Sequence, residues 1–528
     1  MLQLDGNSLS ISDVASTSRR EIVEFSLSTA SVARVESSRK LVDKWVAGGE
    51  TIYGITTGFG EFANVSIPLA QIKELQQNLL RSHSAGVGIP LRNEVVRAML
   101  LLRANALAKG YSGVRPRVIE QLLTFLRLDL LPVIPSRGSV GSSGDLAPLA
   151  HLALALTGEG LISIPSGNDR KVVDAEEALK EFNIAPLKLE AKEGLALING
   201  TQMMSAIGCL ALDKARRLAM LADVSASMSF EALRATDKAF SPYFSEARPH
   251  IGQREVAEHM LRLTHNSEIR NSHLKDDPRV QDAYSLRCIP QVHGAVRDTI
   301  RFVENVLATE INSATDNPLI IPTEDGTGIH LEGGNFHGEP LALALDYLAI
   351  ATSELASISE RRTERLVNGA LSFGLPRFLT PKGGLHSGLM IAQYTAASLV
   401  SENKVLSHPA SVDSIPTSAN QEDHNSMGSV AALKLEQVID NVETVLAIEM
   451  LCASQGIDFL KPLKPGVGSG AAHRAVRSIV PFLEDDRNTS TDIAKVKGLV
   501  SDATFISRIE GEVAGVDMKS NMRPLKKQ

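Results

Sequence analysis

The sequence predicts a mainly α protein: a bundle of long helices with a smaller mixed N-terminal region. Composition is the first reason. Of the 528 residues 43% are hydrophobic but only 4% aromatic, and the apolar share is mostly Leu, Ala, Val and Ile, which suit helices better than a β-sandwich. Periodicity is the second. Between about 202 and 455, apolar residues recur at helical spacing, as in Leu341, Leu345, Leu348 and Leu355, or Leu435, Val438, Val442 and Val445. The third is length: patterns beyond ~25 residues without internal caps point to coiled-coil-like bundles. A chain this long buries a large core and subdivides. The expected division is 1–200 for the mixed region, 201–460 for the long-helix bundle and 461–528 for a C-terminal helical region.

Composition also excludes function classes. The net charge is −7 and no basic stripe is visible, which argues against nucleic acid as a partner. Cys209, Cys288 and Cys452 lie far apart with no Cys-x-x-Cys pair, so neither a disulfide framework nor a thiolate metal site is expected. The opening Met1-Leu-Gln-Leu-Asp-Gly-Asn has no basic or apolar leader character, and no uninterrupted apolar run reaches the ~18 residues of a membrane helix. The expectation is a soluble, cytoplasmic protein without a membrane partner or a metal.

In chain order, short strands are expected near Leu2–Leu4 and 22–25, then a helix over 31–46. Thr51-Ile-Tyr-Gly-Ile-Thr-Thr-Gly-Phe-Gly60 reads as a loop carrying Tyr53. The helical period from Pro68 to Leu80 ends in Arg81-Ser-His-Ser-Ala-Gly-Val-Gly88, which puts His83 at the helix end. Helices over 92–109 and 115–128 follow. Pro165-Ser-Gly-Asn-Asp-Arg170 marks a hairpin or insertion, and Glu193-Gly-Leu-Ala-Leu-Ile-Asn-Gly-Thr-Gln202 sets Asn199 between an apolar run and a long helix. Long helices are expected over 202–238, 291–315, 338–368, 387–407 and 425–455. Several are apolar nearly all round, which implies burial between subunits and hence a homo-oligomer. The polar inserts 281–287, 333–338 and 418–426 between them read as groups converging on a site. From Gly466 the tail looks looser, and its Gly-Val-Gly-Ser-Gly lacks the preceding strand of a nucleotide fingerprint.

The chemically distinctive stretch is Gly138-Ser-Val-Gly-Ser-Ser-Gly-Asp145, followed by an apolar run to Leu156. Such a cluster is ordinarily a loop entering a helix, and as a phosphate cradle it lacks the Gly-Lys-Ser/Thr ending. A third outcome is open to it. Without a side chain, Gly144 can bring its backbone nitrogen onto the carbonyl of Ser142. Loss of water from that ring and of the Ser143 hydroxyl would leave an imidazolone bearing an exocyclic methylene, an electrophile no encoded side chain supplies.

Together these strings resemble the histidine ammonia-lyase branch of the aromatic amino-acid lyase/aminomutase family, over nearly the whole chain. The specific markers are Tyr-Gly-Ile-Thr-Thr-Gly-Phe-Gly, Gly-Ser-Val-Gly-Ser-Ser-Gly-Asp-Leu-Ala-Pro-Leu, Gly-Leu-Ala-Leu-Ile-Asn-Gly-Thr-Gln, Val-Gln-Asp-Ala-Tyr-Ser-Leu-Arg-Cys, Asn-Phe-His-Gly and Ser-Val-Asp-Ser-Ile-Pro-Thr-Ser-Ala-Asn-Gln-Glu-Asp-His. The resemblance implies a bundle of the aspartase/ammonia-lyase type, a homotetramer with sites shared between subunits, and a 4-methylidene-imidazole-5-one (MIO) group formed from Ser142-Ser143-Gly144. Here the chain departs from the family, which usually has Ala where Ser142 stands.

The resemblance also assigns roles. Tyr53 is implied as the base that removes the β-proton, which requires its pKa of ~10 to be depressed. Tyr284 is a supporting phenol. Arg287, with Asn199, suits the substrate carboxylate, and Asn199, Gln281 and Phe336 match positions beside the prosthetic group. His83 and Glu422 are implied to face the substrate ring. Glu422 can accept from an imidazole N–H, where tyrosine and phenylalanine enzymes typically carry Gln; facing a benzene ring, a buried carboxylate would lose solvation without return. The expectation is conversion of L-histidine to trans-urocanate and ammonia. The alternatives are a tyrosine or phenylalanine ammonia-lyase or a 2,3-aminomutase on the same scaffold, or a helical scaffold without activity.

Overall fold

The computed structural model describes residues 1–275 and 277–516; the last part of the expected C-terminal region, 517–528, lies outside the described residues. The chain is mainly helical. Its long helices run over Gln202–Ala232, Ile289–Glu310, Glu339–Val367, Met390–Leu406 and Gly428–Asp458, as the periodicity requires. Helices Asn93–Ala108 and Pro116–Leu128 also fall where expected. Contacts divide the chain into two units, each built from three segments.

The first unit comprises Met1–Asp213, Val303–Asp346 and Pro409–Leu433. It holds the sheet fragments. Leu2–Leu4 pairs in parallel with Phe25–Leu27, so the second strand lies later than the expected 22–25: the register sets Leu2 against Phe25, the buried residue of that strand. Leu161–Ser166 and Asp169–Asp174 form the hairpin over the Pro165–Arg170 interval. Helix Thr29–Gly48 buries Val35, Leu41, Val42 and Trp45, and ends on Gly49 in the left-handed conformation. Leu41, Val42 and Trp45 join Ile52, Ile55, Ile72 and Ile320 in one apolar cluster, which anchors both ends of the loop carrying Tyr53. Each such burial contributes about 1.5–3 kcal/mol. Helix Asn93–Ala108 is buried along nearly its whole length and carries Arg103 in its interior.

The second unit comprises Lys214–Phe302, Tyr347–His408 and the chain from Lys434 onward. Here the expectation of a looser tail fails: Val467–Ile479, Thr489–Ser501 and Ala503–Val513 are helices. The glycines that suggested looseness are packing residues. A Cβ on Gly466 would stand 2.5 Å from the Thr264 backbone, and one on Gly468 would stand 2.5 Å from the Leu263 side chain. By length and composition one described helix, Glu339–Val367, is apolar enough to cross a membrane, but Asp346 and Glu354 interrupt its apolar run and 67% of its apolar window is buried in the protein, as in a core helix.

Candidate active site

The loop 138–145 is held from three sides. Gly144 forms a parallel bridge with Gly200, and the Asp145 amide donates to the Gly200 carbonyl at 2.7 Å. Gly144 has φ +73°, and a Cβ there would lie 2.1 Å from the Gly200 oxygen, so only glycine fits. Asp145, fully buried, accepts from the amides of Met203 (2.9 Å) and Met204 (3.0 Å) at the start of Gln202–Ala232, and from the Ser139 hydroxyl (3.1 Å). Burial pushes its carboxyl up to about 7, against those hydrogen bonds.

Asn199 ends the short helix Glu193–Ile198 and turns the chain into the long one. Its carbonyl accepts from Arg103 Nη1 at 2.9 Å and its Nδ2 donates to the Asn317 carbonyl at 3.1 Å, while its Oδ1 is buried with no partner among the described residues. Arg103 also donates to Gln202 Oε1 at 2.8 Å, and its Nε and Nη2 are orphaned. Burial lowers its pKa to about 10 despite the charge of Asp316, which pairs with buried Lys192 at 2.7 Å.

A second segment straps the loop. The Met427 amide donates to the Val140 carbonyl (2.9 Å), and the Ser426 and Ser429 hydroxyls donate to the Gly141 (2.9 Å) and Ser139 (2.6 Å) carbonyls. The Gly338 amide, two residues after half-buried Phe336, donates to the Gly141 carbonyl at 3.1 Å. Glu422 lies against the loop itself: Ser143 donates to its Oε1 at 2.8 Å, Ser142 to its Oε2 at 2.9 Å, and Thr417 to the same Oε2 at 2.6 Å.

Tyr53 and His83 share the charge of Glu422. The Tyr53 hydroxyl accepts from the Gly60 amide at 3.4 Å. Burial raises its pKa, the Gly60 hydrogen bond opposes that, and the charges of Glu332 and Glu422 raise it further. The expected depression of this phenol is therefore not produced by the chain's own fold; carboxylates, not a cation, surround it. His83 closes helix Ile72–His83, with Nδ1 3.0 Å from the Ser82 hydroxyl. Burial lowers its pKa, against the Leu79 carbonyl and the Glu422 charge. The imidazole is thus biased to neutral. A cavity of about 450 Å³, lined by Phe59, Phe62, Leu75, Leu79 and His83 among others, adjoins it.

The first unit therefore contains Tyr53, His83, Ser142, Ser143, Gly144, Asn199, Phe336 and Glu422. Gln281, Tyr284 and Arg287 belong to the second. There the one-turn helix Tyr284–Arg287 stacks the Arg287 guanidinium on the Tyr284 ring, 4.5 Å from its centroid. Tyr284 is 70% exposed, and Arg287 Nε is buried without a partner among the described residues. Sequence reasoning passed over Asp145, Arg103 and Thr417. A charge inside Met-Leu-Leu-Leu-Arg-Ala-Asn-Ala-Leu-Ala was the available sign for Arg103. Asp145 precedes one helix but its side chain caps another, and Thr417 carried no pattern. No described group of three or more His, Cys, Asp or Glu could hold a metal ion.

A family model described as aromatic amino acid lyase matches residues 9–478. The chain belongs to the aromatic amino acid lyase family. Among curated relatives of this lyase, a histidine ammonia-lyase of Gloeobacter violaceus is 54% identical over 516 residues, covering 98% of this chain and 99% of the relative. One from Caldanaerobacter subterraneus subsp. tengcongensis is 55% identical over 490 residues, covering 93% and 94%. The crystal structure of histidine ammonia-lyase from Trypanosoma cruzi superposes with a TM-score of 0.89 at 46% identity, covering 98% of this chain and 96% of that one. A tyrosine aminomutase from Streptomyces globisporus reaches 0.90 at 37% identity, covering 98% and 99%.

Proposed function

We propose that this lyase is a histidine ammonia-lyase, removing ammonia from L-histidine to give trans-urocanate in the first step of histidine degradation. The observation that carries the reading is Glu422, a carboxylate placed against Ser142 and Ser143, where a bound amino acid would meet it. Relatives named histidine ammonia-lyase at above 50% identity over nearly the full length support it.

The residues fit an MIO group at 142–144. Gly144 is held where no Cβ can stand, and Asn199 Oδ1, a buried acceptor without a partner among the described residues, lies in the residue next to Gly200, which Gly144 bridges. When formed, that group supplies an electrophile for the substrate amine and makes nitrogen a competent leaving group. The chain does the rest. Asn199 binds the substrate carboxylate, and Arg287 is proposed to join it only in the shared site of the assembly. Glu422 accepts the imidazole N–H and His83 flanks the ring. Tyr53 takes the β-proton and Phe336 stands beside the prosthetic group; the supporting roles of Tyr284 and Gln281 are proposed for the shared site of the assembly.

Burial, and after it the carboxylates of Glu332 and Glu422, oppose ionisation of Tyr53 within one chain. A homotetramer with shared sites is proposed on exposed apolar side chains such as Tyr347, Ile350, Ile391 and Tyr394 on the long helices. Cytoplasmic location is proposed as well, consistent with three free cysteines. Assay of the purified protein against L-histidine, L-tyrosine and L-phenylalanine tests the reading: urocanate from histidine alone supports it, while cinnamate, coumarate or a β-amino acid would move it to the phenylalanine or tyrosine enzymes or to an aminomutase. Glu422→Gln is expected to cut histidine turnover by about a hundredfold or more.

A further inference from the structure

We propose that the Ser142 hydroxyl is a specificity-determining group: with Thr417 it fixes one oxygen of Glu422 and leaves the other for the imidazole N–H of the substrate. This rests on the reading above, with histidine as substrate and 142–144 as the cyclising loop.

Each carboxylate oxygen offers about two acceptor sites. Oε2 takes two hydroxyls, Ser142 at 2.9 Å and Thr417 at 2.6 Å, and Oε1 takes that of Ser143 at 2.8 Å. The stem is fixed too. The Thr417 amide donates to the Glu422 carbonyl at 2.9 Å and the Glu422 amide returns to Thr417 at 3.3 Å, so the carboxylate moves only about its own side-chain bonds.

Cyclisation acts unequally on these donors. A bond forms between the Gly144 nitrogen and the Ser142 carbonyl carbon, and the Ser142 carbonyl oxygen leaves as water with the amide hydrogens of Ser143 and Gly144. The second water takes the Ser143 hydroxyl from Cβ and the hydrogen from its Cα. Ser143 can then no longer donate to Oε1, whereas the hydroxyls of Ser142 and Thr417 are not consumed. The event that creates the electrophile thus vacates the oxygen that reads the imidazole. Alanine at 142, the usual residue of the family, leaves Thr417 as the sole side chain on Oε2, and the carboxylate gains rotational freedom.

The test compares the full-length enzyme with Ser142→Ala, alone and in a Glu422→Gln background, by intact mass and steady-state kinetics. Ser142→Ala is expected to lose two waters as the wild type does. Its KM for L-histidine rises by about three- to tenfold with kcat within about twofold, and this effect vanishes in the Glu422→Gln background. An unchanged KM in a Ser142→Ala protein that has lost both waters overturns the proposal and leaves the functional reading intact. Incomplete water loss in Ser142→Ala, or a KM effect that persists without Glu422, also overturns it, since the hydroxyl would then be shaping the loop. Wild-type protein that turns over histidine with no loss of water overturns the cyclising loop and this inference with it, whereas wild-type protein that loses both waters and does not turn over histidine overturns the functional reading.

Discussion

Gly144 and Gly200 face each other across an isolated parallel bridge, so close that a Cβ on Gly144 would stand 2.1 Å from the Gly200 carbonyl oxygen. The contact fixes the peptide between Ser143 and Gly144 whose nitrogen must reach the Ser142 carbonyl. Gly144→Ala meets both that clash and the cost of φ +73° for an L-residue. The expected outcome is protein with no loss of two waters and activity reduced by at least about a hundredfold. Intact mass and urocanate formation check it; a Gly144→Ala enzyme that dehydrates normally would contradict it.

Arg103 approaches the same turn from behind, donating to the Asn199 carbonyl, while two of its nitrogens are orphaned. Burial has already lowered its pKa to about 10, so this is a charge held at a cost. Its use is to fix the turn that places Asn199 and Gly200. Arg103→Met keeps the stem but loses the donors. Slower dehydration of 142–144 is expected, visible as a mixture of masses at zero, one and two waters lost, with kcat falling in proportion to the fully dehydrated fraction. Full dehydration in this variant would show the turn to be fixed without Arg103.

How much of this was legible in the sequence follows from what each residue type announces. Helices such as Pro116–Leu128 and Gly428–Asp458 announce themselves because burial of one face leaves a 3.6-residue period. Tyr53, Asn199 and Glu422 stood out through strings shared with a family, not through any local rule. Arg103 and Asp145 were silent because their partners lie far away in sequence: Asp145 caps a helix beginning at Gln202, and Arg103 meets Asn199 across 96 positions. Thr417 was silent for another reason: its partner Glu422 is only five positions on, but a Thr five residues before a Glu marks no regular element. The tail after Gly466 misled for the converse reason, since glycine there marks close helix packing and not a flexible loop. The Tyr53 phenol was expected low and is raised, because burial and the carboxylates of Glu332 and Glu422 act on it.

That raised phenol has a consequence for pH. A base works deprotonated, so a raised pKa shifts the rising limb of the rate profile to higher pH. The kcat/KM for L-histidine is expected to climb through about pH 9 without levelling, given an unperturbed phenol near ~10. Tyr53→Phe is expected to remove the limb together with at least about a thousandfold of activity. Initial rates from pH 6 to 10 decide it. A plateau near pH 7 in the wild type would mean that assembly brings a cation strong enough to reverse the shift.

The second unit has a polar core of its own, and it makes a stability prediction. Arg362 and Glu449, both fully buried, pair through Nε–Oε1 at 2.5 Å and Nη2–Oε2 at 2.9 Å, and Ser225 and Ser229 donate to the same carboxylate at 2.9 and 2.6 Å. Burial alone would raise the Glu449 pKa; the Arg362 charge and hydrogen bonds outweigh it and leave it lowered. A depressed carboxylate contributes stability that is present above its unfolded pKa of ~4.3 and is lost as pH falls through the folded value. At pH 7 the pair is intact. Arg362→Met leaves the carboxylate buried without its cation and is expected to cost about 3–5 kcal/mol, whereas Arg362→Met with Glu449→Met removes both charges and is expected to recover most of that. Thermal midpoints at pH 7 should therefore order wild type, double variant, single variant. Lowering the pH towards 4 should narrow the gap between the single variant and the wild type, because protonation of Glu449 relieves the stranded charge in the single variant, while in the wild type the depressed carboxylate keeps its ion pair. A double variant as unstable as the single one would show that the serine hydroxyls, left without an acceptor, matter more than the charge pair they surround.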